Sequence, residues 1–133
     1  MIGNTGISAP TKEAVGDVRK LWEADKVCWE KLFDKVGAIV KKAKEKIESG
    51  EWELIGDLMN QNHALLQEMT VSSPELDRLV NAARKAGALG AKLSGGGRGG
   101  NMIALVKPEI AEAVSRSLKE AGAKTTIATT INP

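Results

Sequence analysis

The chain has 133 residues, 42% of them hydrophobic and 27% charged; that is one domain's worth of chain, at roughly 150 residues per domain, and it excludes bulk disorder. Nineteen Lys and Arg against 17 Asp and Glu leave a net charge of +2, no electrostatic footprint for nucleic acid. No apolar run approaches the roughly 18 residues of a membrane span, and the few aromatics, Trp22, Trp29, Phe33 and Trp52, argue against base stacking.

The first ten residues place Gly3, Gly6 and Pro10 among β-branched residues and read as the end of a strand running into a loop. They carry no charged head and apolar stretch of a secretory signal. Thr11-Lys-Glu-Ala opens a helix, with Thr11 as its expected cap and Glu13 in the first turn. Val15, Val18, Leu21 and Trp22 recur at helical spacing. Asp25 starts a second helix, with a stripe of Trp29, Leu32, Phe33, Val36, Ile39 or Val40, Ala43 and Ile47, and Gly50 ends it. Lys41 to Lys46, interleaved with Glu45, read as a solvated face. Cys28 has no partner cysteine, which favours a reducing compartment. Beside Trp29 it reads as a small buried filler rather than a nucleophile.

A third helix begins near Glu51, lined by Trp52, Ile55, Leu58, Met59, Leu65, Leu66 and Met69. His63 lies on it without a Cys, His or acid at metal spacing, so a structural histidine is expected rather than a base or ligand. Asn60 and Asn62 are open to either reading. Ser73 as N-cap with Pro74 at the first helical position starts a fourth helix through Leu76, Leu79, Val80 and Ala83, with Gly87 its stop.

Here the period changes. Ala91 to Ser94 reads as a short strand, Gly95-Gly-Gly-Arg98-Gly-Gly100 as a loop, and Asn101 to Val106 as a buried strand. Pro108 opens a last helix ending at Gly122, and Thr125 to Ile131 is a final β-branched strand. The order predicts an α+β domain: a small antiparallel or mixed sheet covered by helices on one face.

Five of the 14 glycines fall within Gly95–Gly100. Gly95-x-Gly97-x-x-Gly100 matches the dinucleotide fingerprint formally, but that motif must open a helix and here a strand follows. Asn101-Met102 after the last glycine excludes the Walker A pattern. The glycines let successive N–H groups converge as an anion-binding nest. A generous β-turn is the alternative reading. So many glycines point to close approach of a ligand or of another backbone.

Gly90-Ala-Lys-Leu-Ser-Gly-Gly-Gly-Arg-Gly-Gly-Asn-Met-Ile-Ala-Leu105 resembles the third signature motif of the GHMP small-molecule kinases, which in the mevalonate kinase branch runs Lys-Leu-Thr-Gly-Ala-Gly-Gly-Gly-Gly-Cys. Ile2-Gly-Asn-Thr-Gly-Ile-Ser-Ala-Pro-Thr-Lys-Glu-Ala-Val15 is similar to the branch's strand–loop–helix. Leu58-Met-Asn-Gln-Asn-His-Ala-Leu-Leu66 and Val71-Ser-Ser-Pro-Glu-Leu-Asp77 are similar to its helix pair. The three blocks stand in family order and tie most of the chain to the family's C-terminal half.

The resemblance implies a ferredoxin-like α+β unit over residues 1–133 with an added N-terminal helical segment, residues 1–10 joining it to an N-terminal half. It implies phosphoryl transfer from ATP, with Mg²⁺, to the C5 hydroxyl of mevalonate in a complete cytoplasmic enzyme. The family's phosphate loop and its catalytic Asp and Lys are not found in this chain. Catalytic residues are therefore assigned to the other half, the isolated chain is expected to be inactive, and no tightly bound cofactor is expected for it. Thr11, Ser94, Gly95, Gly96, Gly97, Arg98, Gly99 and Gly100 are the expected nucleotide- or substrate-proximal residues, with no metal ligand.

Three loop residues depart from the family pattern. Gly96 replaces Ala, Arg98 replaces Gly and Asn101 replaces Cys. Arg98 contacting a phosphate, of ATP or of an already phosphorylated acceptor, would move the substrate towards phosphomevalonate and keep a sister kinase or decarboxylase in play; the other reading points Arg98 to solvent. A stand-alone ligand-binding domain is a further alternative. Homo-oligomerisation is an expected way to cover apolar surface, and neither nucleic acid nor membrane is expected as a partner.

Overall fold

The computed structural model describes residues 1–132. Strand β1 (Ile2–Asn4) is followed by helices α1 (Thr11–Ala24), α2 (Lys26–Ser49), α3 (Trp52–Glu68) and α4 (Pro74–Lys85). Then come β2 (Gly90–Ser94), β3 (Asn101–Leu105), a 3-10 turn (Pro108–Ile110), α5 (Ala111–Glu120) and β4 (Thr125–Ile127). The sheet order is β2-β3-β1-β4 and every pairing is antiparallel. With α4 and α5 as the crossings, this is the ferredoxin-like arrangement.

Several boundaries follow directly from local chemistry. The Asp25 side chain accepts from the Cys28 N–H at 3.2 Å and separates α1 from α2. Gly50 ends α2 at φ 73°, a left-handed conformation in which a Cβ is costly. The Ser73 hydroxyl accepts from the Leu76 N–H at 3.2 Å, with Pro74 in the first turn. Three expectations change. Pro10, not Thr11, holds the N-cap position of α1 and gives no side-chain cap. The last helix begins as a 3-10 turn at Pro108. The final strand stops at Ile127, which pairs with Ile2, the first residue of β1. Of the two sheet types expected, antiparallel or mixed, the structure has the antiparallel one.

The core divides in two. Leu76, Leu79, Val80 and Ala83 of α4 and Val114 and Leu118 of α5 pack on Ala91, Leu93, Met102 and Ala104 of the sheet. A smaller cluster joins Trp29, Leu32 and Leu65, with Val18, Trp22, Val36, Ile39 and Met69 around it. That second core is thin. Val15, Leu21, Phe33, Val40 and Ile47 lie on the expected stripes but are exposed. Cys28 is also exposed, in the first turn of α2, so the expectation of a buried filler is corrected. Lys41, Lys42, Lys44 and Glu45 are exposed as expected, and Lys46 turns to Glu51 at 2.8 Å. Among the described residues, no helix is long and apolar enough to cross a membrane.

Helix α3 covers the outer edge of β2, where strand N–H groups would otherwise lack partners. Asn60 Oδ1 accepts from the Ala91 N–H at 3.0 Å and His63 Nδ1 from the Leu93 N–H at 3.1 Å. The other ring nitrogen of His63 lies 2.9 Å from Asp77 Oδ1, which also accepts from Gln67 and Ser72. With Nδ1 accepting, the proton of the neutral ring sits on Nε2 and is donated to Asp77. His63 is 1% exposed. Both nitrogens are committed, so it is a structural histidine. The helix comes close because Gly56 and Gly90 face each other: a Cβ on Gly90 would lie 2.1 Å from the Gly56 carbonyl oxygen, and one on Gly56 2.3 Å from that of Leu89.

This contact makes a signed prediction. Gly37, also inside a helix, has nothing within 4 Å of its missing Cβ. Gly37→Ala should stabilise the chain by about 0.5–1 kcal/mol in urea unfolding. Gly56→Ala should destabilise it by about 2 kcal/mol, because backbone atoms must give way. Equal effects would contradict the packing described.

Burial holds the His63 imidazole below its ordinary pKa of 6.5, against the opposing pull of Asp77. The unfolded chain therefore binds the proton first, and stability present above pH 6.5 is lost as pH falls towards the depressed value. Asp77 is also lowered, from 3.8, so its share is lost in a more acidic window. His63 is the one histidine of the chain. The pH dependence of unfolding in His63→Gln should be flatter than wild type just below pH 6.5; parallel curves would contradict the assignment.

Candidate functional site

The loop Gly95–Gly100 joins β2 to β3 and lies between two other segments. On one side is the turn between α3 and α4, where the Val71 carbonyl accepts from the Arg98 N–H at 2.8 Å. On the other is the loop from β1 to α1, where the Ile7 carbonyl accepts from the Gly100 N–H at 2.8 Å. Thr5 closes that side by donating both its N–H and its hydroxyl to the Gly100 carbonyl, at 2.9 and 3.0 Å. Asn4 turns the same segment: its Oδ1 accepts from the Gly6 N–H and its Nδ2 donates to Asn101 Oδ1, both at 2.6 Å.

Three glycines are explained by these contacts. A Cβ on Gly97 would lie 2.0 Å from the Val71 carbonyl oxygen, and Gly97 itself has φ 78°. A Cβ on Gly96 would strike Thr11 Oγ1 at 2.5 Å, and one on Gly99 the Ile7 carbonyl oxygen at 2.7 Å. Of the two close approaches that the composition suggested, the protein's own chain accounts for these positions.

The loop still faces a cleft of about 250 Å³, lined by Ile7, Ser8, Ala9, Thr11, Ser94, Asn101 and all five glycines of the loop. The structure thus brings together Thr11, Ser94, Gly95, Gly96, Gly97, Gly99 and Gly100. Among the described residues, nothing accepts from the N–H groups of Gly95, Gly96, Gly97 or Gly99. Such unpaired donors at one concave surface suit an anion. The lining holds no titratable side chain and no cation. The cleft can bind and orient an anionic group by backbone dipoles, but its lining offers nothing to move a proton.

Arg98 belongs to the loop but turns away from the cleft. Its Nη1 donates to Asp17 Oδ2 at 2.5 Å and its Nε to the Thr70 carbonyl at 3.2 Å. That guanidinium holds the Asp17 carboxyl below the usual carboxylate range, first through the hydrogen bond and then through charge. The structure thus gives Arg98 a protein contact beside the two expected positions, phosphate and solvent. His63, Cys28 and Asn60 line no part of the cleft. Among the described residues, no cluster of three or more His, Cys, Asp or Glu could hold a metal. Asn4, Thr5 and Asp17 escaped the sequence reading. Asn4 and Thr5 carried a turn signal by residue type, whereas the partner of Asp17 lies 81 residues away.

Comparison with known proteins follows the same lines. The profile of the family described as GHMP kinases C terminal matches residues 43–124. The mevalonate kinase of Pyrococcus furiosus is 43% identical over 127 residues, covering 92% of this chain and 38% of that protein. This chain therefore spans well under half the length of that relative. Among solved structures, L. major mevalonate kinase in complex with R-mevalonate superposes with a TM-score of 0.90 and 39% identity, covering 93% of this chain and 39% of the other. Methanococcus jannaschii mevalonate kinase superposes with a TM-score of 0.71 at 27% identity, covering 90% and 35%. With its sheet order, its loop and these matches, the chain belongs to the GHMP kinases and carries their C-terminal domain.

Proposed function

We propose that this chain is the site-closing C-terminal part of a mevalonate kinase-like enzyme. The complete enzyme transfers the γ-phosphoryl group of ATP to the C5 hydroxyl of mevalonate. One observation carries the reading: a cleft of about 250 Å³ lined by glycines whose N–H groups have no protein acceptor, and lacking any titratable side chain. Phosphoryl transfer needs positioning and charge stabilisation more than covalent chemistry by the protein. Backbone donors supply the first, and the second falls to groups outside this cleft. Free N–H groups suit phosphate oxygens, whereas the lining has no carboxylate for Mg²⁺. The metal does not fit these residues, so its ligands are assigned to the N-terminal half. Thr11 and Ser94 add hydroxyl donors at the rim.

The charges of this half bear on the acceptor. A phosphorylated acceptor brings a second phosphate and needs a cation to meet it. The one cation of the loop, Arg98, is held by Asp17, and the lining supplies no other. This favours mevalonate over phosphomevalonate.

The open sheet face supports a missing half. Lys92, Ile103, Ile2 and Ile127 form one row across all four strands, opposite the face that α4 and α5 cover. Ile127 is 58% exposed. Burial lowers the Lys92 ammonium below its ordinary pKa. An apolar row of this kind is suited to packing against another layer.

The purified 133-residue chain should show no ATP-dependent phosphorylation of mevalonate. Joined to the N-terminal half of a mevalonate kinase relative, it should phosphorylate mevalonate in preference to phosphomevalonate. Turnover by the chain alone, or preference for the phosphorylated acceptor, would overturn the reading. In sedimentation, Ile103→Lys should leave a monomeric chain monomeric; a shift from dimer to monomer would instead assign the open face to self-association.

A further inference from the structure

Arg98 stands where the family pattern reads glycine, and its surroundings are built for it. Its backbone has φ 59° and that of Thr70, which it meets, has φ 66°. Arginine seldom takes this conformation, and for β-branched threonine it is a genuine outlier. Such strain persists where surrounding contacts over-determine it. Here there are three contacts from two separate elements. The Arg98 N–H reaches the Val71 carbonyl, its Nε the Thr70 carbonyl, and its Nη1 the Asp17 carboxylate of α1. The left-handed turn at Thr70 ends α3 and presents both carbonyls to the arginine.

We propose that Arg98 is a positioning residue that clasps the glycine loop to α1 and to the turn between α3 and α4, so holding the loop's unpaired N–H groups on the cleft. The side chain acts from behind the loop and touches no ligand. Asp17 is part of the same device, since without it the guanidinium has only a neutral carbonyl to hold it. The clasp stands on the geometry alone; its consequence for phosphate rests on the function proposed above.

The two hydrogen-bonded loop amides, at positions 98 and 100, report opening of the loop by hydrogen exchange. In the 133-residue chain, Arg98→Met and Asp17→Ala should each speed their exchange by about tenfold, leaving α5 amides unchanged, as expected of a local opening. The double variant should be no faster than Arg98→Met alone, because that substitution already removes the Asp17 contact together with the Thr70 one. Unchanged exchange at both amides would overturn the clasp.

Titration with pyrophosphate separates positioning from direct contact. A clasp predicts that Asp17→Ala weakens pyrophosphate binding, as Arg98→Met does. If Arg98 were itself the phosphate ligand, Asp17→Ala would free it and tighten binding, which would overturn the proposal. Accelerated exchange with no pyrophosphate binding in the wild type would leave the clasp standing and sink the phosphate-binding reading of the cleft.

Discussion

The arrangement of the site depends on the absence of room between the glycine loop and the two backbones beside it. At Gly97 the Val71 carbonyl occupies the space a Cβ would need, and at Gly99 the Ile7 carbonyl nearly does. Backbone therefore packs on backbone across three segments that are far apart in sequence. The consequence is chemical as well as steric. The loop spends two N–H groups on fastening, those of Arg98 and Gly100, and leaves those of four glycines that line the cleft without a protein acceptor. A loop with side chains would sit further out and would lose both the fastening and the concave surface.

The same principle holds α3 against the sheet. Gly56 and Gly90 let helix and edge strand meet, and Asn60 and His63 then take up the outward N–H groups of β2. Polar side chains finish an edge that another chain would otherwise extend. Asp77 fixes the histidine from the far side, so α3, α4 and β2 form one frame behind the loop. The turn that follows α3 carries Thr70 and Val71, and is held in place by that frame. The other face of the sheet stays open, with its isoleucine row. On the proposed reading, one half of a phosphoryl-transfer site is thus rigid and uncharged, and the charged chemistry belongs to the half that packs opposite.

Much of this was legible in the sequence because it is local. Asp25, Gly50 and the Ser73-Pro74 pair mark their boundaries by residue type alone. The glycine run lies between two apolar strands, and its resemblance to a family motif identified the fold. What was not legible is tertiary. Periodicity marks Val15, Phe33 and Ile47 as core, but α1 packs mainly on α2 and α2 on α3, so the outer positions of their stripes stay exposed. Thr11 has the right type for a cap, yet lies one residue inside the helix, with its hydroxyl at Gly96. Arg98 reads as a free cation until Asp17, 81 residues distant, is placed beside it.

The central claim is that this chain meets phosphate through backbone N–H groups and not through a side-chain cation. The most direct measurement is a crystal structure of the chain joined to its N-terminal half with an unreactive ATP analogue bound. The account predicts phosphate oxygens within hydrogen-bond distance of N–H groups among Gly95, Gly96, Gly97 and Gly99, with Arg98 still on Asp17. A nucleotide bound away from the loop, or Arg98 swung onto a phosphate, would contradict it.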